Sequence, residues 1–135
     1  MAADTRTYDV EEANRVLPDV RRLTAQISEL SMQLPELQDQ VRIAEYRMKR
    51  PGAEAVEADR FEKAAAALRG SEDDLTAALG GLGRLGVSLK DPRAGLVDFF
   101  SERDGELVEL CWRLGEPLVA HWHRIGEGFA GRRPV

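Results

Sequence analysis

A chain of 135 residues, 43% of them hydrophobic and 32% charged, holds material for one small core and is read as a single domain over residues 1–135. The net charge of −5, with Arg and Lys interleaved among Asp and Glu, provides no basic face, so nucleic acid is excluded as an expected partner. One cysteine excludes a disulfide framework and a paired-cysteine zinc knuckle; the polar start Met1–Arg6 and the lack of any apolar run of ~20 residues exclude a membrane, leaving cytoplasm as the expected compartment.

The first helix is announced by Asp9 and Glu12, whose spacing fits a capping box: one carboxylate takes an orphan N–H and the other reaches back. Apolar residues follow at Val10, Ala13, Leu17 and Val20. After a slip of one residue the series resumes at Leu23, Ile27, Leu30, Leu34, Leu37, Val41, Ala44 and Met48, in alternating steps of four and three. That period is the narrow seam of a coiled coil. Pro18 and Pro35 each lack an N–H and crowd the preceding turn. The slip at Pro18 predicts a restart there, and the unbroken phase through Pro35 predicts a kink.

Arg50-Pro51-Gly52 marks a turn. A second helix is predicted from about Ala53, with its seam at Phe61, Ala65, Leu68, Leu75, Leu79 and Leu82 and with Glu72 in one apolar slot. Gly70-Ser71 is a candidate weak point, and Gly80, Gly81, Gly83 and Gly86 are expected to end the helical region. Residues 9–84 therefore read as an antiparallel, coiled-coil-like hairpin of long helices. Two helices alone make a thin core, so the hairpin is expected to pack on the rest of the chain or on a second copy, and a homodimer is the favoured expectation.

Residues 85–135 have a different texture. Val87–Lys90, Leu96–Phe100 and Leu107–Trp112 read as short strands, with Asp104-Gly105 as a hairpin turn and Val119–His123 as a fourth strand or the start of a helix. The end, Gly126–Pro134, reads as loop. The fold class is accordingly mainly α with a small β part: the hairpin followed by a small antiparallel β module.

The chemistry-bearing residues gather in that module from Gly95 to Pro134, a stretch that holds both histidines, both tryptophans, the cysteine and half of the glycines. His121 and His123 form an H-x-H pair, which on a strand points both imidazoles to one face and on a helix splays them. The competing reading is a pair of partly exposed histidines flanking a buried Trp122. Asp98 interrupts the apolar run Leu96-Val-Asp-Phe-Phe100, either as a ligand or as an edge carboxylate paired with an arginine such as Arg113. Glu116 sits in a Gly-Glu-Pro connection, as a ligand or as a solvated turn residue. Cys111 is a candidate ligand or a small buried apolar side chain. Histidine with one or two carboxylates suits a divalent transition metal, zinc or iron above all. The candidate metal ligands are thus His123, His121, Glu116, Asp98 and Cys111.

The chain resembles an uncharacterised bacterial family, a domain of unknown function sometimes loosely described as a division-initiation protein. The matching segments are Glu12-Ala-Asn14 with Leu17-Pro18, Gly95-Leu-Val-Asp-Phe99, Leu110-Cys-Trp-Arg-Leu-Gly-Glu-Pro117, Trp122-His123 and Gly128-Phe-Ala-Gly-Arg132. The resemblance implies a bacterial cytosolic origin and no particular activity. In the family pattern the position of His121 is commonly aromatic while the Trp-His step is matched, which shifts weight to His123 with Asp98, Glu116 or Cys111.

Two functional readings follow. One is a transition-metal site in the β module with the hairpin as scaffold or dimer interface. The other is a non-catalytic adaptor whose hairpin engages a protein partner or itself. A haem or small-molecule site built from His123 and the tryptophans is a further alternative. No nucleophile is accompanied by a recognisable base and orienting group, so no reaction is assigned.

Overall fold

The computed structural model describes residues 5–135; the first four residues of the polar N-terminal stretch lie outside the described residues. Helix α1 spans Val10–Lys49 and helix α2 spans Ala55–Leu85. Five strands follow, β1 (Val87–Asp91), β2 (Leu96–Arg103), β3 (Glu106–Arg113), β4 (His121–Arg124) and β5 (Arg133–Pro134), with a short 3-10 turn at Phe129–Gly131. They form one antiparallel sheet in the order β1-β2-β3-β4-β5. No described helix is long and apolar enough to cross a membrane.

The capping box closes α1 as its spacing requires. The Glu12 N–H donates to Asp9 Oδ1 at 2.7 Å, and the Asp9 N–H donates to Glu12 Oε1 at 3.2 Å. The expected restart at Pro18 does not occur: α1 runs unbroken through both Pro18 and Pro35. Each proline costs the helix a bond, but both rings face outward, and the residues around Pro18 (Leu17 and Val20) are fixed by burial in the core. The seam from Leu23 to Met48 is buried or half-buried at every position.

Helix α2 departs from expectation in two places. Its inward face is carried by Leu75, Ala78 and Leu82, so Ala78 is buried and Leu79 is exposed. The glycines at 80, 81 and 83 do not end it; only Gly86 does, in the left-handed conformation, its N–H returning to the Leu82 and Gly83 carbonyls. Gly81 has a packing role instead. A Cβ there would stand 3.0 Å from the Leu23 side chain, so its absence lets α2 close onto α1.

The base of the hairpin packs on one face of the sheet. Ala13, Leu17, Val20, Leu23 and Ile27 of α1 and Ala78 and Leu82 of α2 share a core with Val97, Phe99, Leu110 and Trp112. The segment before α1 joins it: Tyr8 is buried, its N–H donates to the Phe100 carbonyl at 2.7 Å and its hydroxyl to the Leu85 carbonyl at 2.5 Å. The hairpin beyond Leu30 extends past the sheet, and Ala44 is its one buried residue there.

Two turns set the sheet register. Asp104 and Gly105 take positive φ (53° and 80°), the geometry a two-residue turn needs to match strand twist, and β2 and β3 pair from Leu96–Arg113 to Arg103–Glu106. Gly95 also has positive φ, and a Cβ there would lie 2.5 Å from the Leu114 Cβ, so this turn admits glycine alone.

Candidate metal centre

Strand alternation decides what the outer face of the sheet carries. With Val97, Phe99, Leu110 and Trp112 turned to the helices, Asp98, Glu109, Cys111, His121 and His123 turn away from them. Cross-strand pairing then sets Asp98 opposite Cys111, Cys111 opposite His121, and Glu109 opposite His123. The H-x-H pair does lie on a strand, and both imidazoles share a face.

Asp98, Cys111 and His123 each offer a ligand atom, and these atoms lie within 4.8 Å of one another. All three residues are at most 2% exposed. The His123 ring is fixed at both nitrogens: Nδ1 is 2.8 Å from the Arg124 carbonyl and Nε2 is 3.2 Å from Asp98 Oδ1. A carbonyl only accepts, so Nδ1 carries a proton and Nε2 is the atom presented to the carboxylate. The surroundings of His123 and Asp98 differ from their alternatives, while Cys111 is as buried as its apolar alternative expects. His123 is buried while Trp122 is half-buried, and Asp98 pairs with His123 rather than with Arg113.

Glu109 belongs to the same cluster and is absent from the sequence candidates. It is 4% exposed, and its carboxyl is raised above the usual range by burial and by the Asp98 charge. Lys90, at 3.6 Å, partly offsets this. The signal was present: Glu109 interrupts Leu107-Val-Glu-Leu-Cys111 just as Asp98 interrupts β2. The Cys111 thiol is pushed up to about 12 by burial and then by Asp98, so without a cation beside it the sulfur stays protonated.

The structure places His121 and Glu116 in a neighbouring cluster. Arg132 donates to Glu116 Oε2 at 2.6 Å and also engages His121 Nδ1, while Glu116 Oε1 accepts from the Arg113 N–H at 2.7 Å. The five sequence candidates thus divide, three into one set of ligand atoms and two onto Arg132. Arg132 is itself nearly buried, and its Nε has no hydrogen-bond partner among the described residues. The tryptophans stand on the other side: Trp112 is fully buried against the helices and Trp122 alternates with His123, so neither walls the His123 side.

The loop after β4 closes over the cluster. Gly126 and Gly128 take positive φ, which bends the chain back so that Phe129 reaches the face carrying Asp98 and His123. Phe129 is held between the Arg113 and Arg132 guanidiniums, 5.7 and 4.4 Å from its ring centroid.

No curated protein and no solved structure matches the chain. The pattern of one family does match, over residues 6–135, so the chain belongs to the DUF2203 family of uncharacterized conserved proteins.

Proposed function

We propose that this protein binds a divalent transition metal ion, zinc or iron, through Asp98, Cys111 and His123, with the helical hairpin as its scaffold. One observation carries the reading: three buried side chains of different ligand chemistry converge within 4.8 Å, on adjacent strands of one sheet face. A thiolate, an imidazole nitrogen and a carboxylate together suit zinc or iron and disfavour magnesium or calcium. Burying a carboxylate against the acceptor face of a histidine is costly unless a cation lies between them, and a metal ion supplies one.

The test is metal titration by calorimetry, with elemental analysis of protein purified without an affinity tag. The expected result is one ion per chain, lost in His123→Gln while the circular dichroism spectrum is retained. Substoichiometric metal that His123→Gln leaves unchanged overturns the proposal.

A second reading draws on the distal hairpin. Met32, Ile43 and Tyr46 are exposed and lie on one side of α1, at spacings of three turns and one turn. That stripe supports the adaptor reading in its homodimer form, with two hairpins packed along it. Light scattering that finds a strict monomer at micromolar concentration overturns it.

A further inference from the structure

Beside the cluster lies a cleft of about 180 Å³, lined by Lys90, Leu96, Asp98, Glu109, His123 and Phe129. Cys111 is not among its lining residues, so it approaches the cluster from the side that Asp98 and His123 expose. Leu96 and Phe129 also line a second cavity of about 240 Å³, together with Asp91, Ala94 and Arg113. The two spaces therefore share two apolar lining residues, with the metal ligands beside the first and the Arg113 guanidinium and Asp91 carboxylate beside the second, Asp91 Oδ1 already accepting from the Arg93 and Ala94 N–H groups.

The charges along this path are unequal. Lys90 has Glu109 at 3.6 Å, and Arg132 has Glu116 at 2.6 Å. Arg113 has no carboxylate within 4.0 Å among the described residues; its guanidinium stands over the Phe129 ring with its donors free. A fork of that kind matches a carboxylate in two parallel bonds. At the opposite end, three protein ligands leave a metal ion an open position, as sites that take an exogenous ligand do.

Resting on the metal-binding reading, we infer that the site takes a small dicarboxylic acid, one carboxylate completing the metal's coordination, the methylene body lying over Leu96 and Phe129, and the second carboxylate on Arg113. Inorganic phosphate is a poorer match, because the two shared lining residues are apolar and offer its remaining oxygens no donors. A monocarboxylate meets the metal and leaves Arg113 unanswered.

The experiment uses the full chain loaded with cobalt(II), whose visible bands report a change of ligand at the ion. Acetate, succinate, glutarate, adipate and inorganic phosphate are titrated in turn, against wild type and Arg113→Gln. The expected result is tighter binding of one of the dicarboxylates than of acetate or phosphate. Arg113→Gln should weaken that dicarboxylate about tenfold, the loss of a charge-assisted pair, and leave acetate and cobalt uptake unchanged. Arg113 is exposed, so the variant is expected to fold, and its cobalt spectrum verifies this. Cobalt uptake with no dicarboxylate preference, or with a preference that Arg113→Gln does not alter, overturns this inference alone. No cobalt uptake by wild type overturns the metal reading and this inference with it.

Discussion

Asp98 and His123 meet as two acceptors: Oδ1 of the carboxylate stands 3.2 Å from Nε2, while the ring's Nδ1 proton is committed to the Arg124 carbonyl 2.8 Å away. A shared proton or a metal ion must lie between them. Asp98→Asn separates the two cases. Its amide donates to Nε2 and removes the buried charge, so the metal-free protein should keep or raise its melting temperature. The same change removes an anionic ligand, so zinc should bind at least about tenfold more weakly. Thermal melts with and without zinc read both effects. A variant that binds zinc as tightly as wild type removes Asp98 from the ligand set.

Cys111 gives a pH dependence of definite sign. Its thiol is pushed up from 9.0 to about 12, so the folded state holds the proton more firmly than the unfolded chain. The associated stability is complete below pH 9 and is lost as pH rises from there toward 12. At pH 8 the metal-free native protein should resist alkylation by iodoacetamide, and urea should make the thiol reactive. Binding a metal deprotonates the sulfur, so zinc uptake should release a proton into a weakly buffered solution. Rapid alkylation of the native metal-free protein contradicts this account.

Asn14 holds the connection between β3 and β4. Its Nδ2 donates to the Val119 carbonyl at 3.1 Å and its Oδ1 accepts from the Val119 N–H at 2.8 Å, one amide satisfying both polar groups of a buried residue. Asn14→Ala orphans both and should cost about 2–4 kcal/mol, read from the urea midpoint. Asn14→Asp keeps the acceptor and loses the donor, so it should fall between wild type and alanine at neutral pH. A loss below about 0.5 kcal/mol for Asn14→Ala would mean that water replaces the amide.

The parts of this fold that were legible in the sequence are those ruled by period. The four-three seam from Leu23 to Met48, the capping box at Asp9 and Glu12, and the Asp104-Gly105 turn are local patterns with one structural solution each. The glycines of α2 were misleading because a glycine admits two explanations. Gly86 ends a helix by its left-handed backbone, whereas Gly81 makes room for Leu23, and only the facing helix distinguishes them. At the site, the sequence left His121 and His123 between a strand and a helix, and it is the strand β4 that puts both on one face. What engages His121 and Glu116 apart from the other three candidates is Arg132, delivered by a loop that has no period to read. Glu109 was legible by the same argument as Asp98, since each is a carboxylate breaking an apolar strand.

Pro35 separates helix stability from function. It lies mid-helix and exposed, removes the hydrogen bond that the Ser31 carbonyl would accept, and sits beyond the core that joins hairpin to sheet. Proline costs a helix interior about 3 kcal/mol relative to alanine. Part of that gain is expected to stay local, because the distal hairpin can fray without unfolding the base. Pro35→Ala should therefore raise global stability by about 1–2 kcal/mol in urea and slow amide exchange most strongly around residues 30–40. Zinc affinity should not change, since none of the three candidate ligands lies on the hairpin. A destabilised variant would show that the outward-facing ring of Pro35 shapes the hairpin rather than merely being tolerated by it.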